Sequence, residues 1–90
     1  MAQTADGRLL VDIDLSILGA RADRFWNYED QIREEYSWVE LSAYRSRRAK
    51  IMEGFLLRDR LYQTPYFYEK YEEAARHNLQ ALVLKMTSDN

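Results

Sequence analysis

The chain of 90 residues is long enough for one small hydrophobic core and too short for two. Its composition, 47% hydrophobic and 31% charged, is typical of a folded globular domain and not of a disordered chain. The net charge of −2 disfavours a nucleic-acid-binding function, and the lack of cysteine excludes a disulfide, a thiolate metal site and a cysteine nucleophile.

The N-terminal part of the sequence bears on location. Residues 1–8 form a polar lead that contains a turn signal, Asp6-Gly7, and lacks the apolar stretch of a signal peptide. The longest mostly apolar run, residues 9–20, includes two aspartates and is far shorter than the ~20 residues that a membrane span needs. We therefore expect a cytoplasmic protein without a membrane partner.

The first apolar segment, residues 9–18, is compatible with two structures. Alternation would place Val11, Ile13, Leu15 and Ile17 on one face of a strand. A helix would instead group Leu10, Ile13, Ile17 and Leu18, and the following Gly19 suits a helix C-terminus. Periodicity alone leaves both open.

The second segment, residues 22–39, predicts a helix with an apolar stripe on one side and charges on the other. The stripe comprises Phe25, Tyr28, Ile32, Tyr36 and Val39. The opposite side comprises Glu29, Asp30, Arg33 and Glu34. Glu29 and Arg33 are four residues apart in the favourable order and are expected to pair.

The third segment, residues 41–58, predicts another helix, with Ser42 as a possible N-cap. Its apolar face comprises Tyr44, Ile51, Met52, Phe55 and Leu56, and Arg48 lies on the same stripe. Gly54, inside this segment, is expected either to allow close packing or to end the helix early.

The fourth segment, residues 65–86, begins with a clear start signal: Thr64 as N-cap and Pro65 at the first helical position. Its inward stripe comprises Phe67, Tyr71, Ala74 or Ala75, Asn78, Leu82 and Met86. The sequence thus predicts an all-α fold of three to four helices in one domain, residues 9–87, followed by a polar tail, residues 88–90.

Two carboxylates in an apolar run are the most informative feature. Asp12 and Asp14 are costly to bury unless they are paired or bound to a metal, and Asp is a ligand suited to hard divalent cations. The structural alternative is that one aspartate is exposed and the other caps a helix or pairs with an Arg.

Three stretches of the chain resemble a known family. LVDIDLSILG, FWNYEDQIREEYSWV and YRSRRAKIMEGFLLRDRLYQTPYFYEKYEEAARHNL look like the C-terminal part of the HD superfamily of predicted metal-dependent phosphohydrolases, all-α proteins. The resemblance covers about residues 6–83, and its most specific elements are a D-x-D-L-x-I-L-G block at Asp12–Gly19 and an R-x-Y-x-T-P block at Arg60–Pro65.

The resemblance implies a role for each aspartate. The family places its last metal-ligating Asp directly before a Leu, which corresponds to Asp14, and Asp12 would then be a supporting neighbour. A divalent metal (Mg, Mn, Fe or Ni) and a phosphate ester substrate are implied with it. The family's His and His-Asp ligands lie upstream of this block, and residues 1–8 contain no His. This chain is therefore expected to be inactive alone and to bind metal only weakly.

Arg48 and His77 are two further side chains whose chemistry would suit a binding site. The Arg48 guanidinium could bind a phosphate through two parallel hydrogen bonds. More commonly, an Arg in such a position forms an ion pair, here with the acidic residues of the second segment. His77 is expected to be a surface or boundary residue, because no motif places it at the metal.

The aromatic residues exceed what three helical stripes can bury, notably Trp26, Trp38, Tyr62, Tyr66 and Tyr68. A large apolar surface most often marks a protein interface. We therefore expect a homo-oligomer or a partner chain, with an interface that includes Trp26 or Trp38 and residues 9–18. The alternative function is a non-enzymatic helical module for oligomerisation or protein interaction.

Overall fold

The computed structural model describes residues 5–88. Four α-helices and one short 3₁₀-helix follow one another: α1 (Ala5–Asp14), η1 (Ser16–Gly19), α2 (Ala22–Glu35), α3 (Leu41–Leu56) and α4 (Pro65–Thr87). No strand occurs within this part of the chain, and the all-α prediction is confirmed.

The first segment divides into two helices. α1 ends at Asp14, and η1 turns the chain through residues 16–19, so the strand alternative for residues 9–18 is wrong. α1 begins at Ala5, within the expected polar lead, and the turn expected at Asp6-Gly7 is wrong, because a helix tolerates a single Gly at a cost of about 1 kcal/mol. Residues 1–4, the side chains of Ala5, Asp6 and Leu10, and tail residues 89–90 lie outside the described structure.

The longest helix, α4, forms the centre of the molecule. It packs against α3 on one side and against η1 on the other, while α1 and α2 pack on η1. Its buried apolar residues follow helical spacing, and Ala75, not Ala74, lies inward. The core consists of Leu18, Phe25, Met52, Leu61, Tyr62, Ala75, Leu79 and Leu82.

The contact between η1 and α4 depends on a glycine. A Cβ on Gly19 would lie 2.7 Å from Tyr71 Cβ and 2.9 Å from the Tyr71 carbonyl oxygen. Both positions are fixed by the backbone of α4, so a side chain at residue 19 would force the two elements apart. Asn78 reinforces the contact by donating to the carbonyl oxygens of Leu18 and Ala20, each at 2.9 Å.

The second and third helices bury only part of their predicted stripes. On α2, Phe25 is buried but Tyr28 and Tyr36 are exposed. On α3, Tyr44 and Met52 are buried but Ile51 is 51% exposed. Tyr36 and Ile51 line an open groove between α2 and α3.

α3 begins at Leu41, as predicted, but Ser42 is not its N-cap, and the close packing expected at Gly54 is absent. The N-cap is Glu40, whose carboxylate accepts hydrogen bonds from the backbone N–H groups of Ser42 and Ala43 and from the Ser42 hydroxyl. These bonds lower the pKa of Glu40. Gly54 faces open space, so it allows no close packing, and the helix continues for two residues beyond it.

Across residues 5–88, even α4 lacks the continuous apolar length that crossing a lipid bilayer requires.

Candidate functional site

Asp12 is a structural carboxylate. Its side chain is completely buried and accepts hydrogen bonds from the backbone N–H of Gln63 at 2.8 Å and of Thr64 at 2.7 Å. The Thr64 hydroxyl donates a third bond at 2.6 Å. The N-cap position predicted for Thr64 is correct, but its hydroxyl binds Asp12 and does not cap its own helix. Asp12 thereby fixes the start of α4 to α1.

Glu72 holds the preceding part of the same connection, residues 57–64. It lies buried on α4 and accepts from the backbone N–H groups of Leu61, at 2.9 and 3.0 Å, and Tyr62, at 3.1 Å. Arg76, one helical turn later, pairs with Glu72 at 2.7 Å and donates to the carbonyl oxygens of Leu56 and Arg58. Two buried carboxylates therefore satisfy four consecutive backbone donors, those of residues 61–64.

Sequence reasoning missed Glu72, although a signal was present. Glu72 falls on the same helical stripe as Ala75, Leu79 and Leu82, at spacings of three and four residues. A carboxylate on a core stripe, four residues before an arginine, indicates a buried ion pair.

Tyr62 links the two sequence blocks a second time. Its ring is fully buried between Phe67 and Tyr71, and its hydroxyl donates to the carbonyl oxygen of Leu15 at 2.8 Å. Burial, and secondly the negative charge of Glu72, raise the pKa of the Tyr62 hydroxyl. The expectation that Tyr62 is surplus to the core is therefore wrong.

Asp14 differs from Asp12 in both solvent exposure and hydrogen bonding. It is the last residue of α1, its side chain is exposed, and it accepts no hydrogen bond from residues 5–88. An exposed carboxylate without a partner is free to bind a cation from solution. The Asp12–Asp14 segment thus contains one buried, fully hydrogen-bonded carboxylate and one free carboxylate.

A complete metal site requires more than Asp14. No group of three or more His, Cys, Asp or Glu side chains in the described part of the chain converges to hold an ion. The lone histidine, His77, is exposed on α4, as expected for a surface residue. The residues present therefore fit one ligand of a divalent metal and do not fit a complete coordination shell.

Arg48 makes a buried, bidentate ion pair. Its Nε and Nη2 donate to the two carboxylate oxygens of Glu29 at 2.9 and 2.5 Å, and both side chains are largely shielded from solvent. Burial, the largest single influence, lowers the pKa of the Arg48 guanidinium, but the hydrogen bond to Glu29 and the negative charge of Glu29 act together with smaller contributions to raise it overall. This ion pair is the structural alternative to phosphate binding, because Glu29 already occupies the Nε and Nη2 edge that would bind a phosphate with two parallel hydrogen bonds.

The pairing expected between Glu29 and Arg33 is wrong for the same reason. Glu29 faces α3 and binds Arg48, whereas Arg33 donates to the carbonyl oxygens of Tyr36 and Val39 and stacks on the Tyr44 ring at 4.7 Å. A contact between helices thus replaces the local pair on α2.

Comparison with protein-family models, curated proteins and solved structures finds no match to this chain.

Proposed function

We propose that this chain is the C-terminal helical portion of an HD-type metal-dependent phosphohydrolase, with Asp14 as one ligand of its divalent metal. The observation that supports the proposal most strongly is the difference in environment between the two aspartates. The carboxylate that the resemblance assigns to the metal, Asp14, is free, while its neighbour Asp12 is fully used in hydrogen bonds.

Contact between the two specific sequence blocks also supports the proposal. The block at Asp12–Gly19 and the block at Arg60–Pro65 lie far apart in sequence, yet Asp12 and Tyr62 join them through hydrogen bonds. Two motifs that together are specific to a family are expected to lie in one structural unit. In this protein that unit includes the end of α1, where Asp14 lies.

The remaining ligands, a His and a His-Asp pair, must come from polypeptide outside these ninety residues. The metal, Mg, Mn, Fe or Ni, would supply hydrolytic chemistry toward a phosphate ester once such a site is complete. This chain contributes a positioned carboxylate, and we derive no catalytic step from it alone.

Paramagnetic broadening by Mn²⁺ in NMR spectra of the intact chain tests the proposal. We expect low Mn²⁺ concentrations to broaden first the amide signals around Asp14 and Leu15. The Asp14→Asn variant is expected to lose this selective broadening. Asp59→Asn, which removes another exposed aspartate, serves as the matched control and should keep it. Broadening that is strongest elsewhere, or that survives Asp14→Asn, would contradict the proposal.

A further inference from the structure

An open apolar groove lies between α2 and α3. It has a volume of about 440 Å³ and extends from the C-terminal half of α2, across the loop at residues 36–40, to the N-terminal half of α3. Its lining consists of Ile32, Tyr36, Trp38, Val39, Ala43, Tyr44, Arg47, Arg48 and Ile51.

The groove is made of residues that the sequence pattern assigns to a core. The stripes of α2 and α3 converge on it but leave it uncovered: Trp38 is 79% exposed, and Tyr36 and Ile51 are about half exposed. The hydroxyl of Tyr44, which lines the groove, is buried without a hydrogen-bond partner in the described structure. Contiguous exposed apolar surface that includes a Trp is typical of a protein interface.

The two outer flanks of the groove carry opposite charges, Glu35 beside its lining and Arg47 within its lining. On α2, Glu35 lies three residues after Ile32 and directly before Tyr36, on the outer flank of the apolar stripe. On α3, Arg47 lines the groove four residues before Ile51. Both side chains are exposed, and neither forms an ion pair with any described residue. The face is therefore acidic along one edge, apolar in the middle and basic along the other edge.

Such a face is complementary to a copy of itself. A two-fold axis across the groove sets α2 of one chain against α3 of the other, so that Glu35 meets Arg47 twice and the apolar stripes meet in the middle. We propose that this groove binds the same face of a second copy of the chain and forms a symmetric homodimer.

This interface is separate from the proposed metal ligand. Arg45, next to Tyr44 on α3, donates to the carbonyl oxygen of Lys85 near the C-terminal end of α4. Asp12, by contrast, binds Thr64 at the N-terminal end of α4. At 1.5 Å per residue, α4 is roughly 33 Å long. The dimer therefore does not depend on the proposed function, and either can fail without the other.

Sedimentation equilibrium of the whole chain over a wide concentration range tests the proposal. We expect a monomer–dimer equilibrium that Ile51→Glu weakens by about tenfold or more, because it places a charge in the apolar centre of the interface. Leu57→Glu, at an exposed leucine outside the groove, is the control and should leave the dimer unchanged. Circular dichroism of each variant verifies that the helices are retained.

Charge reversal provides the sharper test. Arg47→Glu and Glu35→Lys should each weaken self-association by about tenfold or more, because each creates two repulsive pairs. An equal mixture of the two variants should form a heterodimer, because each repulsive pair then becomes attractive. Arg8→Glu, on α1 away from the groove, and Glu34→Lys, on the side of α2 opposite Ile32, are the matched controls and should have little effect.

Three results would overturn the proposal. The first is that the chain stays monomeric at every concentration. This includes the case in which the groove binds a different protein but never a second copy of the chain. The second is a dimer that Ile51→Glu and both charge reversals leave intact, since its interface would then lie elsewhere. The third is a mixture of Arg47→Glu and Glu35→Lys that stays monomeric, which would exclude the two-fold pairing.

Discussion

Two aspartates separated by one residue have opposite environments in this protein. Asp12 is buried because four consecutive backbone N–H groups of the residue 57–64 connection need acceptors, and its carboxylate supplies acceptors for two of them. Asp14 is the last residue of α1 and is exposed to solvent. The sequence predicts this division as one of two alternatives, but it cannot assign the roles, because the donors at Gln63 and Thr64 are about fifty residues away.

Replacing each aspartate by asparagine should separate the two roles. Asp12→Asn places an amide group where two backbone N–H groups and a hydroxyl need acceptors, and it should lower the free energy of unfolding by about 1.5–3 kcal/mol. Asp14→Asn should change it by less than about 0.5 kcal/mol. Urea denaturation measures both. Equal losses in the two variants would contradict the assigned environments.

The glycines offer a second comparison at single positions. Gly19→Ala should destabilise the protein by about 1–3 kcal/mol, because its Cβ would overlap the backbone and Cβ of Tyr71. Gly54→Ala should stabilise it by about 0.5–1 kcal/mol, because the new methyl meets nothing and Ala favours the helix. Thermal or urea unfolding of both variants gives the signs. A gain for Gly19→Ala would show that η1 and α4 are not in close contact.

At the scale of the helices, local signals locate α3 and α4 well and explain their ends less well. Pro65 marks the start of α4 because its ring suits the first helical turn. The cap of α3 is harder to predict from sequence. The capping side chain is Glu40, whereas Ser42, two residues later, is of a residue type that caps helices more often. Propensity ranks Ser above Glu at this position, but the loop geometry places the Glu40 carboxylate on the free N–H groups.

The Glu40 cap should contribute to stability in a pH-dependent way. The hydrogen bonds from Ser42 and Ala43 lower the pKa of Glu40 below its usual 4.5. The stabilisation is therefore present above that value and is lost as the pH falls through the lowered pKa. Glu40→Gln should lower the melting temperature at pH 7 and have a smaller effect at pH 3.

Exposed Glu34→Gln is the control for this cap, and it should leave the melting temperature nearly unchanged at both pH values. A deficit of Glu40→Gln that grows as the pH falls would contradict the proposed cap.

For the molecule as a whole, the pattern predicts the fold class and the number of helices but overstates the core. Helical periodicity shows which residues share a face, and it does not show whether another element covers that face. The stripes of α2 and α3 therefore look like core in sequence and form an open groove in the structure. Glu29 shows the opposite error: the pattern places it on the charged side of α2, but Arg48, 19 residues away in sequence, pairs with it in a buried position.

The incomplete ligand set leads to an expectation for activity. We expect the chain alone to show no turnover of nucleoside monophosphates or model phosphate esters with Mg²⁺, Mn²⁺ or Ni²⁺, since a lone carboxylate cannot hold and activate a metal-bound water. A standard phosphate-release assay measures this. Metal-dependent turnover that disappears in Asp14→Ala would mean that ligands assemble in a way that the described residues do not show.

The proposal that Asp14 is one ligand of an otherwise incomplete metal site is tested most directly by the affinity of the chain for a divalent cation. Calorimetric titration with Mn²⁺ or Ni²⁺ should give weak binding, in the high micromolar range or weaker, and Asp14→Asn should weaken it further, because high affinity needs several ligands held together. A tight one-to-one site, or weak binding that is unchanged in Asp14→Asn, would contradict the account.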